Sequence, residues 1–313
     1  RHWHLLPKRR TLEPCAGRAM GDLENCVMSN TSHAQTLQAV AGKPREAESA
    51  SITGPSEIAL TNVSKTFALG KGQTLDAVSN VNLNIAGGEF IALIGASGCG
   101  KSTLLRMIAG LEDPSQGSIT IAGQSPEDCI KHQKLGIAMQ EHGLMPWLSA
   151  WDNVALPFRL AGLPVDTERV DELLALVGLA DFAQALPKQL SGGMKQRVSI
   201  ARALVLKPDV LILDEPFGAL DAVTRRLMNN ELQRIWSQQP TTTILVTHSF
   251  EEAVFLADRI CLMSPRPGRL ALIEEVELNR PRGLDTMHEP EFRQTLAKLT
   301  AALDDVCTQG ARQ

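Results

Sequence analysis

The sequence predicts an α/β fold in which a mostly parallel core sheet is accompanied by an antiparallel β layer. Two observations carry that expectation. EFIALIG (89–95), VLILDE (210–215) and TTILVTH (242–248) are nearly continuous apolar runs, as strands buried on both faces are, and the stretches between them are long enough for helices. EIALTNVSKTF (57–67) and VSNVNLNI (78–85) instead alternate apolar and polar side chains, which marks half-buried strands of an antiparallel edge layer.

Further elements follow in order. KLGIAMQ (134–140) predicts another core strand. Val170, Leu173, Leu174 and Val177 share one helical face, within a helical insertion expected over about 145–205. Ser249 followed three residues later by Glu252 predicts a capping box at a helix start. The segment 276–313 is expected to be a helical tail, with Phe292, Leu296, Leu299 and Ala302 on the apolar side of a closing helix. Residues 1–55 lack sustained periodicity and are expected to form a disordered leader ahead of the main domain at 56–275; a true start at Met20 or Met28 is the alternative for this segment.

Composition narrows the function classes. Of 313 residues, 43% are hydrophobic and 21% charged, which suits a folded globular chain. The formal charge of -4 gives no global field for a polyanion, so no nucleic-acid partner is expected. Cys15, Cys26, Cys99, Cys129, Cys261 and Cys307 form no Cys-x-x-Cys pair and read as reduced thiols. No apolar run reaches the eighteen residues that suggest a membrane span.

The chemistry is concentrated in GASGCGKST (95–103), which places Gly95, Gly100, Lys101 and Ser102 in a G-x-x-x-x-G-K-[ST] pattern between an apolar strand and a helical segment. Glycines let the backbone curl so that successive N–H groups of Gly95, Ala96, Ser97, Gly98, Cys99, Gly100, Lys101, Ser102 and Thr103 can cradle phosphate. Lys101 would reach the terminal phosphates and Ser102 would ligand Mg²⁺. Asp214 and Glu215 end an apolar strand, where ligands of an open parallel sheet gather. Asp214 is expected to hold the metal through water, and Glu215 to polarise an attacking water as general base. His248 ends the next strand and is expected to read the terminal phosphate, while Gln140 would orient either the lytic water or Mg²⁺.

LSGGMKQR (190–197) then adds a family signature, with Met194 where Gln is usual. Together with the P-loop, Gln140, VLILDEP, GALD (218–221) and His248 in that order, the chain over about 56–275 resembles the ATPase of an ATP-binding cassette (ABC) transporter, a P-loop NTPase fold with a helical signature subdomain. The resemblance implies ATP and Mg²⁺ as ligands and a head-to-tail dimer, in which Ser191, Gly192 and Gly193 cap the ATP held by the other subunit. The isolated chain would then bind ATP but hydrolyse it poorly. It also implies that Phe67 stands where the family stacks adenine, usually on Tyr, which this chain lacks altogether. MPWLSAWDNVALP (145–157) and MSPRPGR (263–269) are similar to the branch that serves nitrate, sulfonate and taurine importers. That branch implies transmembrane permease subunits, an extracytoplasmic solute-binding protein, a peripheral place on the cytoplasmic face of the inner membrane, and a permease-facing surface around Trp147 and Trp151. An importer for another small solute, or a soluble non-transport ABC ATPase, is the alternative.

Overall fold

The computed structural model describes residues 56–310 other than 71, 219 and 239, and these belong to one compact unit; the expected leader at 1–55 lies outside the described residues. Alternation builds the first layer. In Ile58–Gly70 (β1) and Gln73–Ile85 (β2), residues such as Ile58, Leu60, Val81, Leu83 and Ile85 point inward while their neighbours face solvent. Asn62, at φ 50, interrupts the register between Leu60 and Val63 and lets both turn into the core. The strands pair antiparallel, and Gln116–Ile121 (β4) adds to the other side of β1 through Ile58↔Ile121 and Leu60↔Ile119.

The second sheet contains the continuous apolar runs. Phe90–Gly95 (β3), Leu135–Ala138 (β5), Val210–Asp214 (β6), Thr242–Val246 (β7), Arg259–Met263 (β8) and Leu270–Glu275 (β9) are arranged in the order β5-β6-β7-β3-β8-β9. Every pairing is parallel except that of β8 with β9. In β3, β6, β7 and β8 both faces are buried, and side chains alternate between two cores. Ile91, Leu93, Ile212, Ile244 and Val246 meet Lys101–Ile108 (α1) and the antiparallel layer. Ala92, Ile94, Leu211, Leu213 and Leu245 meet the remaining major helices.

Those helices include the expected insertion: Ala150–Leu160 (α3), Thr167–Leu176 (α4) and Gly192–Leu204 (α5), reached after the short Pro126–Lys131 (α2). Val170, Leu173, Leu174 and Val177 are all buried, as their spacing predicts. Ala222–Gln238 (α6), Phe250–Leu256 (α7) and Pro290–Gly310 (α8) complete the chain, with Phe292 and Leu299 of α8 buried against α7 and its neighbours.

One capping expectation needs correction. Ser249 Oγ does accept from the Glu252 N–H at 3.3 Å, but the Glu252 carboxyl does not return to the Ser249 N–H, which donates to Thr247 Oγ1 instead. Glu252 is buried, and burial raises its pKa against the opposing effect of a hydrogen bond with Thr247. The far end of α7 is closed by Arg282, whose buried guanidinium donates to the carbonyls of Val254 (2.9 Å) and Ala257 (2.7 Å). Burial brings the Arg282 pKa down to about 10, and these acceptors are what make the buried cation tolerable.

Gly136 sets how closely α5 approaches the sheet. A Cβ there would collide with the Ala203 carbonyl oxygen and lie 2.7 Å from Pro208 Cγ. Gly136→Ala is expected to destabilise the fold by about 1–3 kcal/mol, the usual cost of overpacking, read as a lower midpoint in thermal unfolding. An unchanged midpoint would show that α5 is free to shift.

Candidate nucleotide-binding site

Strand register places the site. Leu93 of β3 and Asp214 of β6 both lie opposite Val246 of β7, so these three strands end nearly level. Ala138 pairs with Leu213, which sets Gln140 at the same height as Glu215. Gly95, Gln140, Glu215 and His248 are therefore all one or two residues beyond this common edge, where the carboxyl ends of parallel strands collect ligands.

From Gly95 the chain turns into α1 through Gly100, the N-cap, at φ 103. A side chain is excluded there by conformation and by space, since a Cβ would lie 2.7 Å from the Ala77 carbonyl oxygen. With no side-chain cap, the first N–H groups of α1 are left for a ligand, and an anion suits that helix end. Lys101 is 7% exposed and folds back so that Nζ donates to the carbonyls of Gly95 (2.8 Å) and Ala96 (3.0 Å). Cys99 is buried behind the loop with Sγ 3.8 Å from Nζ. Ser97, Gly98, Gly100, Lys101, Ser102 and Thr103 line a cleft of about 310 Å³ whose far wall includes Gln140 and Glu215.

The carboxylates differ in kind. Asp214 is 2% exposed and its pKa is raised, chiefly by burial, while a hydrogen bond from Ser102 Oγ at 3.3 Å opposes the rise. Glu215 has φ 48, unusual for a residue with a Cβ, and its N–H still donates to the Val246 carbonyl at 2.9 Å. That turn sends its carboxylate toward Gln140, whose Nε2 donates to Glu215 Oε2 at 3.2 Å, and toward His248, whose Nδ1 lies 3.8 Å from the same oxygen.

The remaining expected residues are less concentrated. Phe67 sits on β1 opposite Leu75, packed against the core with the Lys65 ammonium 5.1 Å from its ring centre, and is not among the residues lining the cleft. Ser191 is the N-cap of α5 and accepts from the Met194 N–H at 3.2 Å; it, Gly192 and Gly193 also lie outside the cleft lining. Trp147 is 71% exposed, presented by a loop that buried Asn153 ties down through Met145, Leu148 and Ser149. Trp151, expected to share that surface, is instead half-buried, with Nε1 donating to Asp171 at 2.7 Å. Two cleft residues escaped the sequence reading: Ala77 on β2, and Arg266 in the turn between β8 and β9. A cation in a Pro/Gly turn after an apolar strand was the available signal for Arg266.

A strand, a glycine loop and an uncapped helix beside strand-terminal acids define the architecture of a P-loop ATPase. The ABC transporter family profile matches residues 78–218. The chain is 43% identical over 236 residues to the aliphatic sulfonates import ATP-binding protein SsuB of Bacillus cereus, covering 75% of this chain and 92% of that one. It is likewise 43% identical over 248 residues to the nitrate import ATP-binding protein NrtD of Synechococcus elongatus, covering 77% and 88%. Among solved structures, a dimeric ATP-binding cassette in a post-hydrolysis state with ADP and Pi superposes with a TM-score of 0.65 at 34% identity, over 71% of this chain and all of the other. The chain belongs to the ABC transporter ATP-binding protein family. It has the family's α/β cassette fold, and no helix among the described residues is long and apolar enough to cross a membrane.

Proposed function

We propose that this chain is the ATP-hydrolysing subunit of an importer for a small anionic solute such as nitrate, a sulfonate or taurine, driving separate permease subunits from the cytoplasmic face of the membrane. The observation that carries the hydrolytic part is the convergence of Gln140 and His248 on Oε2 of Glu215 beside the glycine loop. The solute class is supported by relatives named for sulfonate and nitrate import, both anions. On this reading residues 56–275 are the ATPase and 276–313 its tail.

The loop amides and Lys101 hold the phosphate chain, and Phe67 stacks adenine on the ring face away from Lys65. Buried Asp214, joined to Ser102 Oγ, and Gln140 on the cleft wall offer the hard oxygen donors that fit Mg²⁺; burial raises the Asp214 pKa, a direction that a bound cation would oppose. Bound there, Mg²⁺ would neutralise charge on the phosphate oxygens. Glu215 takes the proton of the attacking water as its oxygen bonds to the γ-phosphorus, and the β–γ bridging bond breaks with its electron pair leaving on ADP. His248 reads the terminal phosphate, and Gln140 orients the lytic water or Mg²⁺. Ser191, Gly192 and Gly193 serve the nucleotide of a second, head-to-tail subunit, and exposed Trp147 faces the permease. A solute-binding protein joins through the complex.

Glu215→Gln keeps the geometry while removing the base. It is expected to retain ATP binding and lower turnover by about 10²-fold or more, and full turnover would remove Glu215 from the role. Lys101→Ala is expected to weaken ATP binding itself in a direct titration; wild-type affinity in that variant would contradict the cradle. The importer reading is tested in cells lacking this chain by uptake of labelled nitrate, taurine and an alkanesulfonate. Loss of one uptake, restored by the wild type and not by Glu215→Gln, is the expected result, and normal uptake of all three would overturn the solute class.

A further inference from the structure

The turn between β8 and β9 is built into the phosphate loop. Gly268 is buried, and a Cβ there would collide with the Cys99 carbonyl oxygen and lie 2.9 Å from Met263 Cε. Its N–H donates to the Ala77 carbonyl at 3.0 Å, and its own carbonyl accepts from the Ser79 N–H at 2.9 Å. The turn is thereby fastened to β2 on one side and to the loop on the other. From this fixed base Arg266 reaches across, donating from Nε (3.1 Å) and Nη2 (2.9 Å) to the carbonyl oxygen of Gly98. The other end of the same peptide is also held, since the Cys99 N–H donates to the Ala96 carbonyl at 3.3 Å.

That peptide matters for the loop's chemistry. Gly98 has φ +76 and Gly100 φ +103, so the loop contains residues for which a peptide flip meets little steric resistance. A flip at Gly98–Cys99 would take the carbonyl away from its guanidinium and alter the arrangement of N–H groups that makes the loop an anion site. A two-donor cationic clamp resists this more strongly than a neutral single donor would, because charge-assisted forked bonds are stronger and more directional. The guanidinium also lines the cleft beside Lys101 and adds positive charge at its wall, partly screened because Arg266 is exposed.

We propose that Arg266 is a positioning residue for nucleotide binding: anchored by Gly268, it clamps the Gly98 carbonyl and keeps the phosphate loop in its anion-accepting shape. The proposal rests on reading residues 95–103 as the ATP site. Because the clamp shapes the loop rather than the lytic side, it governs affinity for ATP and ADP alike and leaves the chemical step alone. Arg269, in the same turn, carries the same charge but joins Ser264 only through its backbone, which makes it the control.

The test titrates ATP and ADP separately into the purified full chain with Mg²⁺ and measures its slow basal turnover, for the wild type, Arg266→Ala, Arg266→Gln, Arg266→Lys and Arg269→Gln. Arg266→Ala is expected to weaken both nucleotides about tenfold, with turnover at saturating ATP within about twofold of wild type. Arg266→Gln should fall between, and Arg266→Lys should recover part of the loss by restoring charge without the fork. Arg269→Gln should bind as the wild type does. Unchanged affinity in Arg266→Ala overturns the proposal, as does an equal loss in Arg269→Gln, which would mean general charge rather than a clamp. A fall in melting temperature with no recovery of affinity in Arg266→Lys overturns it in favour of a purely structural turn. If the wild type itself binds neither nucleotide, the ATP reading fails and the clamp with it; if the wild type binds both and Arg266→Ala binds them equally well, the ATP reading stands and the clamp alone fails.

Discussion

Parallel pairing of β6, β7 and β3 is the constraint from which the site follows. Val246 is the common rung, opposite Leu93 on one side and Asp214 on the other, and the bond from the Thr247 N–H to the Leu93 carbonyl at 3.3 Å carries the alignment past the strand ends. A parallel ladder cannot slip by one residue here without exchanging the two buried faces, because Leu93 and Ile94 belong to different cores. The positions of Gly95, Glu215 and His248 are thus determined by hydrophobic burial far more than by any polar contact among them. The polar contacts at Glu215 Oε2, from Gln140 Nε2 at 3.2 Å and His248 Nδ1 at 3.8 Å, lie at the exposed edge, where such contacts add little stability.

Within that frame the charged groups divide by burial. Lys101 and Asp214 are nearly sealed, yet each has only weak or indirect compensation: two loop carbonyls for the ammonium and one hydroxyl at 3.3 Å for the carboxylate. A buried charge without a full partner costs stability, and a phosphate chain with its cation would supply both missing partners at once. Gln140 and His248 are exposed, so they carry no such cost and are free to respond to what arrives.

The sequence revealed most where one residue type has one physical reason. Apolar runs of five or six residues bounded by turn residues and separated by helical stretches read as buried strands, and Gly100 and Lys101 were legible because the turn and the ammonium admit no substitute. Strand β4 was missed because QGSITI is half exposed and weakly alternating, so no face stands out. Strands β8 and β9 were missed although Ile260, Cys261, Leu262 and Met263 are all buried, because a short apolar run directly after a helix reads equally well as helix. Missing that hairpin is what hid Arg266, since a turn has no place relative to a loop some 168 residues away until the strand before it is paired. Trp151 shows the converse: the importer resemblance implied a surface, but a single acceptor, Asp171, and the α3–α4 packing drew it in.

The parts of the site differ in how far this chain alone completes them. The loop, Lys101 and Asp214 are complete in their packing and need no second subunit to take their shape. The Glu215 side is open: His248 is exposed, and α7 behind it is held at its distal end by Arg282 and at its near end by the Ser249 cap. Helix α5, with Ser191 and two glycines at its uncovered start, offers a second anion-favouring terminus that nothing in its own cleft uses. On the proposed head-to-tail reading, the exposed helix start of one copy would meet the open cleft of another. That arrangement would bring the lytic side together only when nucleotide bridges the pair.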